Sequence, residues 1–171
     1  MKDRSKLPYR KTTVCFCVWG HRLVCKVTER YIKLPGGGVD EGEEPVDAVL
    51  REMKEEIGAD VHEIRFLSSL KVDWTPDWVE GQPKRKERYE QFRGEETFFF
   101  VAFVSRLGKP TSKEGDAWAD VQGSCLYTFP EVTASLDKIS RTLSDPSFAS
   151  FNAMITACIK LIHMMIGVSK A

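Results

Sequence analysis

Alternating and continuous apolar runs, separated by short turn-forming sequences, predict most of the regular elements in this chain. Residues 13–19 and 22–29 flank the Gly20-His21 turn and are β-branched or aromatic enough to predict a hairpin. Residues 97–104 are apolar almost without a break, which is typical of a central strand buried on both faces. Further strands are predicted over residues 61–72 and 125–129, with a short extended piece over residues 31–34.

A different periodicity follows the glycines at positions 36–38. Apolar residues recur there at helical spacing, with Pro45 suited to the first turn and Gly58 to the stop. These apolar positions are Val46, Val49, Leu50, Met53 and Ile57. Two more helices are predicted over residues 130–143 and 147–166. The last one is apolar on more than one side, which indicates packing on the sheet or, alternatively, a homodimer contact.

Strands mixed with helices, joined by hairpins and crossovers, predict an α/β sandwich around a mixed sheet. The length of 171 residues is close to that of one domain, so we expect residues 1–171 to form a single unit. Within it, residues 1–11 are expected to be flexible and residues 73–94 to form a long loop or insertion. Residues 147–167 are expected to form the C-terminal helix.

Composition limits which binding partners and which cellular location we expect for the protein. Lys plus Arg and Asp plus Glu both number 25, so the zero net charge does not support a bulk preference for nucleic acid or anionic membrane. No signal peptide is visible, and the most apolar stretch is shorter than the roughly 20 residues that span a bilayer. We therefore expect a cytoplasmic protein with no membrane contact.

The five cysteines are an odd number in apolar or mixed segments, which favours reduced, buried thiols over disulfides. Cys15 and Cys17 resemble half of a metal site. However, alternate residues of a strand share one face, and no second Cys/His pair stands at zinc spacing. We interpret this pair as structural core.

The most informative segment carries three acids on the predicted helix after the glycines. On a helical wheel, Glu52, Glu55 and Glu56 form one strip beside the buried face. Like charges at this spacing destabilise a helix, and a hard divalent cation would offset the repulsion. A glycine-rich turn beside the strip lets backbone approach such an ion or a phosphate. The alternative is an ordinary solvated helical face.

Two further charged residues in this segment, Glu43 and Arg51, are predicted to support the structure of the helix and loop rather than to take part in the chemistry. Arg51 stands eight residues after Glu43, about two helical turns. It can pair with a carboxylate and fix the helix against the preceding loop.

With its full spacing, the segment resembles the Nudix box, G-x5-E-x7-R-E-U-x-E-E-x-G-U, where U is a bulky apolar residue. The matching positions are Gly37, Glu43, Arg51, Glu52, Met53, Glu55, Glu56 and Gly58. Only Ala59 departs, being small where a larger aliphatic residue is usual. The order of strands and helices around the box also resembles the Nudix fold, loosely over residues 12–145.

The resemblance implies a Nudix-type α/β/α sandwich around a mixed β-sheet and a Mg²⁺-dependent pyrophosphohydrolase, with Mn²⁺ able to substitute. It implies metal-binding and catalytic roles for Glu52, Glu55 and Glu56, and a metal-ligating backbone carbonyl at Gly36. The loop after the apolar strand contains Glu114, the candidate for an extra ligand or base, and the alternatives to it are Asp116, Glu95 and Glu96.

Substrate choice lies outside the box. The resemblance implies a (deoxy)nucleoside triphosphate, ADP-ribose or NDP-sugar, and the alternatives are a non-catalytic nucleotide- or RNA-binding module and an mRNA-decapping type of enzyme. Between residues 73 and 94, aromatic and basic side chains are interleaved, a pattern that could suit a nucleotide or an RNA end. Trp74 and Arg88 are the candidate substrate-binding residues there, and local packing of the aromatics is the alternative.

Overall fold

Seven strands and four helices form the regular structure of the described part of the chain. The computed structural model describes residues 3–29, 31–79, 83–111, 118, 125–142 and 146–168. The strands are β1 (Tyr9–Trp19), β2 (Arg22–Val24), β3 (Lys26–Val27), β4 (Ile32–Lys33), β5 (Ala59–Asp73), β6 (Gly94–Leu107) and β7 (Leu126–Thr128). The helices are α1 (Pro45–Ile57), α2 (Pro83–Gln91), α3 (Phe129–Thr142) and α4 (Pro146–Val168), with short 3₁₀ turns at Arg4–Lys6 and Pro76–Val79.

Five strands form one mixed sheet in the order β5-β6-β1-β2-β7. β1 runs parallel to β6 and antiparallel to β2, whereas β5 runs antiparallel to β6. The register sets Thr12 opposite Thr97, and their buried hydroxyl oxygens lie 3.1 Å apart. The apolar β6 is an interior strand, as its unbroken hydrophobic pattern predicted. β3 and β4 form a separate two-stranded hairpin.

The two faces of the sheet carry different helices. One face packs the apolar side of α1, including Met53 and Ile57, against Cys15, Cys17 and Phe100. The other face packs α3 and α4 against an apolar cluster that includes Phe16, Val18 and Phe99. This arrangement confirms the predicted sandwich of helices around a mixed sheet.

The C-terminal helix α4 packs on the sheet. Its Ile155, Ile159 and Ile162 are buried in the core cluster, while Leu161 and Met164 are exposed. The structure therefore favours the packing interpretation of this apolar helix, and a homodimer contact stays a prediction. No helix among the described residues is long and apolar enough to cross a membrane.

All five cysteines are buried thiols. Burial raises the pKa of Cys25 to about 12 and that of Cys158 to about 11. Cys15 and Cys17 point into the same apolar cluster under α1, as expected for alternate residues of a strand. These thiols therefore behave as small apolar core side chains.

Residues 73–94, predicted as a long loop or insertion, contain regular structure. Between the end of β5 and the start of β6 lie the Pro76–Val79 turn and α2, and we call residues 73–94 the β5–β6 excursion. α2 buries no residue and reads KRKERYEQ after its proline, so it has no apolar periodicity from which a helix could be predicted.

Residues 3–11, part of the segment expected to be flexible, contact the rest of the protein. β1 already begins at Tyr9, and Arg4 lies over the ring of Tyr89 with its guanidinium carbon 3.4 Å from the ring centroid. Arg4 also donates to the carbonyls of Tyr89, Phe92 and Arg93, the last two at 3.0 Å. The N-terminal segment is thus bound to the end of α2, a long-range contact that local composition does not reveal.

Candidate active site

α1 ends at a glycine because the backbone requires one. Gly58 adopts φ 60° and donates its N–H to the carbonyl of Lys54 at 3.1 Å. A methyl group added there would lie 2.6 Å from the carbonyl carbon of Gly108, whose N–H donates to Gly58 at 2.9 Å. Gly58 therefore both stops the helix and admits the chain that follows β6.

The glycine turn is pinned beside β1. The carbonyls of Pro35 and Gly37 accept from the N–H groups of Cys15 and Thr13, each at 2.8 Å. Gly36 adopts φ 146°, and a methyl group added to it would lie 2.1 Å from the carbonyl oxygen of Thr13. Only glycine fits this position without displacing backbone.

Glu56 is the most buried acid of the site. The whole Glu56 residue is only 3% exposed, although its side chain carries a carboxylate. Gly36 donates its N–H to Glu56 Oε2 at 2.9 Å, and the ammonium nitrogen of Lys33 lies 3.1 Å from Glu56 Oε1. Both carboxylate oxygens therefore have a partner, as a buried charge needs.

Glu52 lies against the next residue of the turn. A methyl group added at Gly37 would lie 2.3 Å from Glu52 Oε1, so the absence of a side chain there makes room for this carboxylate. Burial raises the pKa of Glu52, the hydrogen bond from Arg51 opposes this, and the charges of Glu56 and Glu55 raise the pKa further. The site thus carries crowded negative charge that a cation would relieve.

Arg51 ties the helix, the turn and the preceding loop together. Its guanidinium donates to both oxygens of Glu43, each at 3.0 Å, and to the carbonyl of Gly38 at 3.0 Å. It also donates to Glu52 at 2.8 Å and lies 3.6 Å from a carboxylate oxygen of Glu55. The hydrogen bonds from Arg51 lower the pKa of Glu43. This geometry supports the interpretation of Glu43 and Arg51 as structural residues.

The three predicted ligands share one side of α1, but their carboxylates are not gathered into a cluster. In the part of the chain that the structure describes, no three Asp, Glu, His or Cys side chains are grouped closely enough to hold a metal ion. Instead Glu56 faces Lys33, and Glu52 and Glu55 face Arg51. The donors are all oxygen atoms, which is the set that Mg²⁺ prefers, so the residues fit a hard cation in chemistry.

The other predicted acids separate into two groups. Glu114 and Asp116 lie outside the described residues. Glu95 accepts from Arg10 at 3.2 Å, and Glu96 pairs with Lys71 at 3.3 Å. These two acids of β6 are therefore engaged with neighbouring basic side chains on the sheet.

The two predicted substrate-binding residues belong to the β5–β6 excursion. Trp74 is 9% exposed and stacks on Trp78, with ring centroids 4.0 Å apart and planes at 7°. The guanidinium carbon of Arg85 lies 5.2 Å from the ring centroid of Trp78, whereas Arg88 is exposed on α2. This geometry favours the local-packing interpretation of the aromatics.

Sequence reasoning missed two neighbours of the box glutamates. Trp118 is fully buried and donates its backbone N–H to the carbonyl of Glu56 at 3.0 Å. Lys33 pairs with the same residue through its side chain. The available signal for Lys33 was its place in the short extended segment that leads into the glycine turn; nothing local indicated Trp118.

Comparison with known proteins points to the Nudix family. The NUDIX domain family model matches residues 9–145. Over 162 residues the chain is 32% identical to the RNA pyrophosphohydrolase of Gluconacetobacter diazotrophicus, covering 84% of this chain and 93% of that protein. It is also 39% identical over 69 residues to Nudix hydrolase 26, chloroplastic, of Arabidopsis thaliana, which covers 31% of each chain.

Solved structures support the fold. A NUDIX hydrolase from Nitrosomonas europaea superimposes with a TM-score of 0.54 at 13% identity, covering 91% of this chain and 89% of that one. An ADP compounds hydrolase gives a TM-score of 0.55 at 19% identity, covering 96% of this chain and 76% of that one. Together with the family match over most of the chain, these findings show that the protein belongs to the Nudix hydrolase family.

Proposed function

We propose that this Nudix hydrolase cleaves a phosphoanhydride bond at the triphosphorylated 5′ end of RNA, using Mg²⁺ or, in its place, Mn²⁺. The observation that carries the proposal is the contact between two carboxylates and the glycine turn. Glu56 accepts from the backbone N–H of Gly36, and Glu52 lies against Gly37. Two of the predicted oxygen ligands therefore lie beside the closely approaching backbone of the turn, an arrangement suited to a cation and a phosphate.

Glu52, Glu55, Glu56 and the backbone carbonyl of Gly36 would hold the cation. A bound divalent ion supplies charge neutralisation at phosphate oxygens and lowers the pKa of a bound water. Arg51 holds Glu52 in place and keeps α1 fixed to the turn. A carboxylate that accepts the proton of the attacking water completes the machinery, and Glu114 is the predicted residue for that step.

The choice of an RNA end rests on the relative from Gluconacetobacter diazotrophicus, whose name gives RNA as its substrate and of which this chain covers 93%. Zero net charge is compatible with this choice, because an enzyme that recognises a terminus needs few contacts along the phosphate backbone. Free nucleoside triphosphates, ADP-ribose and NDP-sugars, the substrates implied by the Nudix box, are the competing class. A cytoplasmic location stays a prediction.

A hydrolysis panel tests the proposal. Triphosphorylated RNA, capped RNA, dNTPs, ADP-ribose, NDP-sugars and dinucleoside polyphosphates are each incubated with the protein in Mg²⁺, in Mn²⁺ and in EDTA. We expect the highest kcat/KM for triphosphorylated RNA, which becomes monophosphorylated, and no turnover in EDTA. A higher kcat/KM for a free nucleotide would refute the RNA assignment alone. No cation-dependent turnover of any substrate would refute the enzymatic role.

A further inference from the structure

Lys33 neutralises the most buried acid of the site. The Glu56 side chain is 4% exposed and that of Lys33 is 35% exposed, so the pair joins a buried carboxylate to a partly solvated ammonium group. A buried carboxylate without a partner is strongly destabilising, since its lost hydration is not replaced. Lys33, together with the N–H of Gly36, offsets that cost.

A divalent cation on Glu56 would conflict with this arrangement. The ammonium nitrogen lies 3.1 Å from Glu56 Oε1, a position in which it would repel an ion bound to the same carboxylate. Lys33 has a flexible stem and is exposed enough to move. Its ammonium nitrogen already lies 5.9 Å from the ring centroid of Trp118. The face of this ring attracts a cation, so a cation–π interaction there is an alternative to the pair with Glu56.

We propose that Lys33 is an exchangeable counter-ion of the metal site, which pairs with Glu56 in the metal-free protein and leaves it when a divalent cation binds. The inference rests on the proposed function, because it requires Glu56 to be a metal ligand. Metal affinity is then set by competition with Lys33, as well as by the carboxylates themselves.

Lys26 provides a matched control on the same hairpin. The register of β3 and β4 sets Lys26 directly opposite Lys33, and its ammonium nitrogen lies 4.9 Å from the ring centroid of Trp118. Within the described residues, no carboxylate lies at ion-pair distance from Lys26. Removing Lys26 therefore takes one positive charge from the same neighbourhood without breaking a pair with Glu56.

The experiment is a titration of metal-free protein with Mn²⁺, followed by electron paramagnetic resonance of the free ion, for wild type, Lys33→Met and Lys26→Met. We expect Lys33→Met to bind Mn²⁺ about tenfold more tightly than wild type, because a close positive charge is gone, and Lys26→Met to change the Kd less than about threefold. Thermal unfolding gives a second readout. Metal-free Lys33→Met should melt below wild type, and its Tm should rise more on addition of Mn²⁺.

Two further variants keep the test decisive if Lys33→Met does not fold without metal. Lys33→Gln removes the charge with less loss of polarity and should also bind Mn²⁺ more tightly, whereas Lys33→Arg keeps the charge and should bind like wild type. Equal Kd values for the Lys33 and Lys26 variants would overturn the counter-ion role and leave the proposed function intact. Absence of Mn²⁺ binding by wild type would refute both.

Discussion

The glycine turn with α1 and the β5–β6 excursion are both rich in charged residues, yet they use charge in different ways. In α1, the acids Glu52, Glu55 and Glu56 stand at fixed spacings, and each one meets a basic side chain or the backbone of the turn. In the excursion, the rings of Trp74 and Trp78 stack on each other, and α2 buries no residue. Fixed spacing beside a glycine turn therefore accompanies the candidate site, whereas the tryptophans of the excursion pack on each other.

The two regions also differ in what holds them. Many polar contacts of α1 are local in the sequence, chiefly those of Arg51 with Glu43 and Gly38, and Trp118 is a distant partner. The excursion is held by the N-terminal segment, which is distant in the sequence. Arg4 donates to the carbonyl of Phe92, and the N–H of Arg93 donates to the carbonyl of Pro8 at 2.8 Å. Local contacts leave a signature in the sequence, and distant ones leave little.

The largest expected effect is the loss of turnover on removal of one box carboxylate. We expect Glu55→Gln to fold and to lose about 10³-fold in kcat at saturating Mg²⁺, because ligand and transition-state contributions act as a unit. Steady-state kinetics on the preferred substrate measures this.

Glu44→Gln is the matched control for that variant. Glu44 is an exposed acid at the start of the same helix and makes no capping hydrogen bond through its side chain. Its variant should keep wild-type turnover. Full activity of Glu55→Gln would remove Glu55 from the catalytic set.

The second prediction separates Gly36 from Gly37, two of the three glycines of the turn. Gly36→Ala places a methyl group against the backbone of Thr13 at a positive φ, so we expect it to lower the free energy of unfolding by about 3 kcal/mol. Gly37→Ala meets only the movable end of Glu52 and should retain most stability while losing about tenfold in kcat/KM. Denaturant unfolding and kinetics on both variants check this; equal stability losses would contradict it.

The accuracy of the sequence-based predictions follows the same division. The ends of α1, the central position of β6 and the sandwich arrangement follow from periodicity, Pro45, Gly58 and the unbroken apolar run of β6. The helical character of the excursion was missed because α2 has no apolar face. Lys33 was missed because its partner Glu56 lies 23 residues away, across the turn.

The third prediction concerns Trp74, whose role distinguishes substrate binding from local packing as the function of the aromatic residues in the excursion. Since its ring is stacked and nearly buried, Trp74→Ala should lower the free energy of unfolding by about 2 kcal/mol and leave KM for the substrate unchanged. Trp74→Phe keeps an aromatic ring and should cost less. A rise in KM at unchanged stability would restore Trp74 as a substrate-binding residue and would weaken the contrast with α1.

The smallest effect is expected at the base of the excursion, where Asp73 accepts from Arg93 at 2.6 Å and from the hydroxyl of Tyr9 at 2.5 Å. Both hydrogen bonds lower the pKa of Asp73 from its ordinary value of 3.8, and the bond from Arg93 has the larger effect. The folded protein therefore binds this proton less readily than the unfolded chain. The resulting stability is complete above pH 3.8 and is lost as the pH falls through the lower pKa of the folded state.

Asp73→Asn tests that contribution. The side chain is 51% exposed, so solvent screening limits the loss to about 0.5 kcal/mol at neutral pH. Denaturant unfolding from pH 7 to pH 3 should show the difference from wild type shrinking as the pH falls below 3.8, whereas Asp77→Asn, at an exposed acid of the same excursion, should show none. A constant difference across this range would mean that Asp73 acts through packing, so that the base of the excursion, unlike α1, owes nothing to its charges.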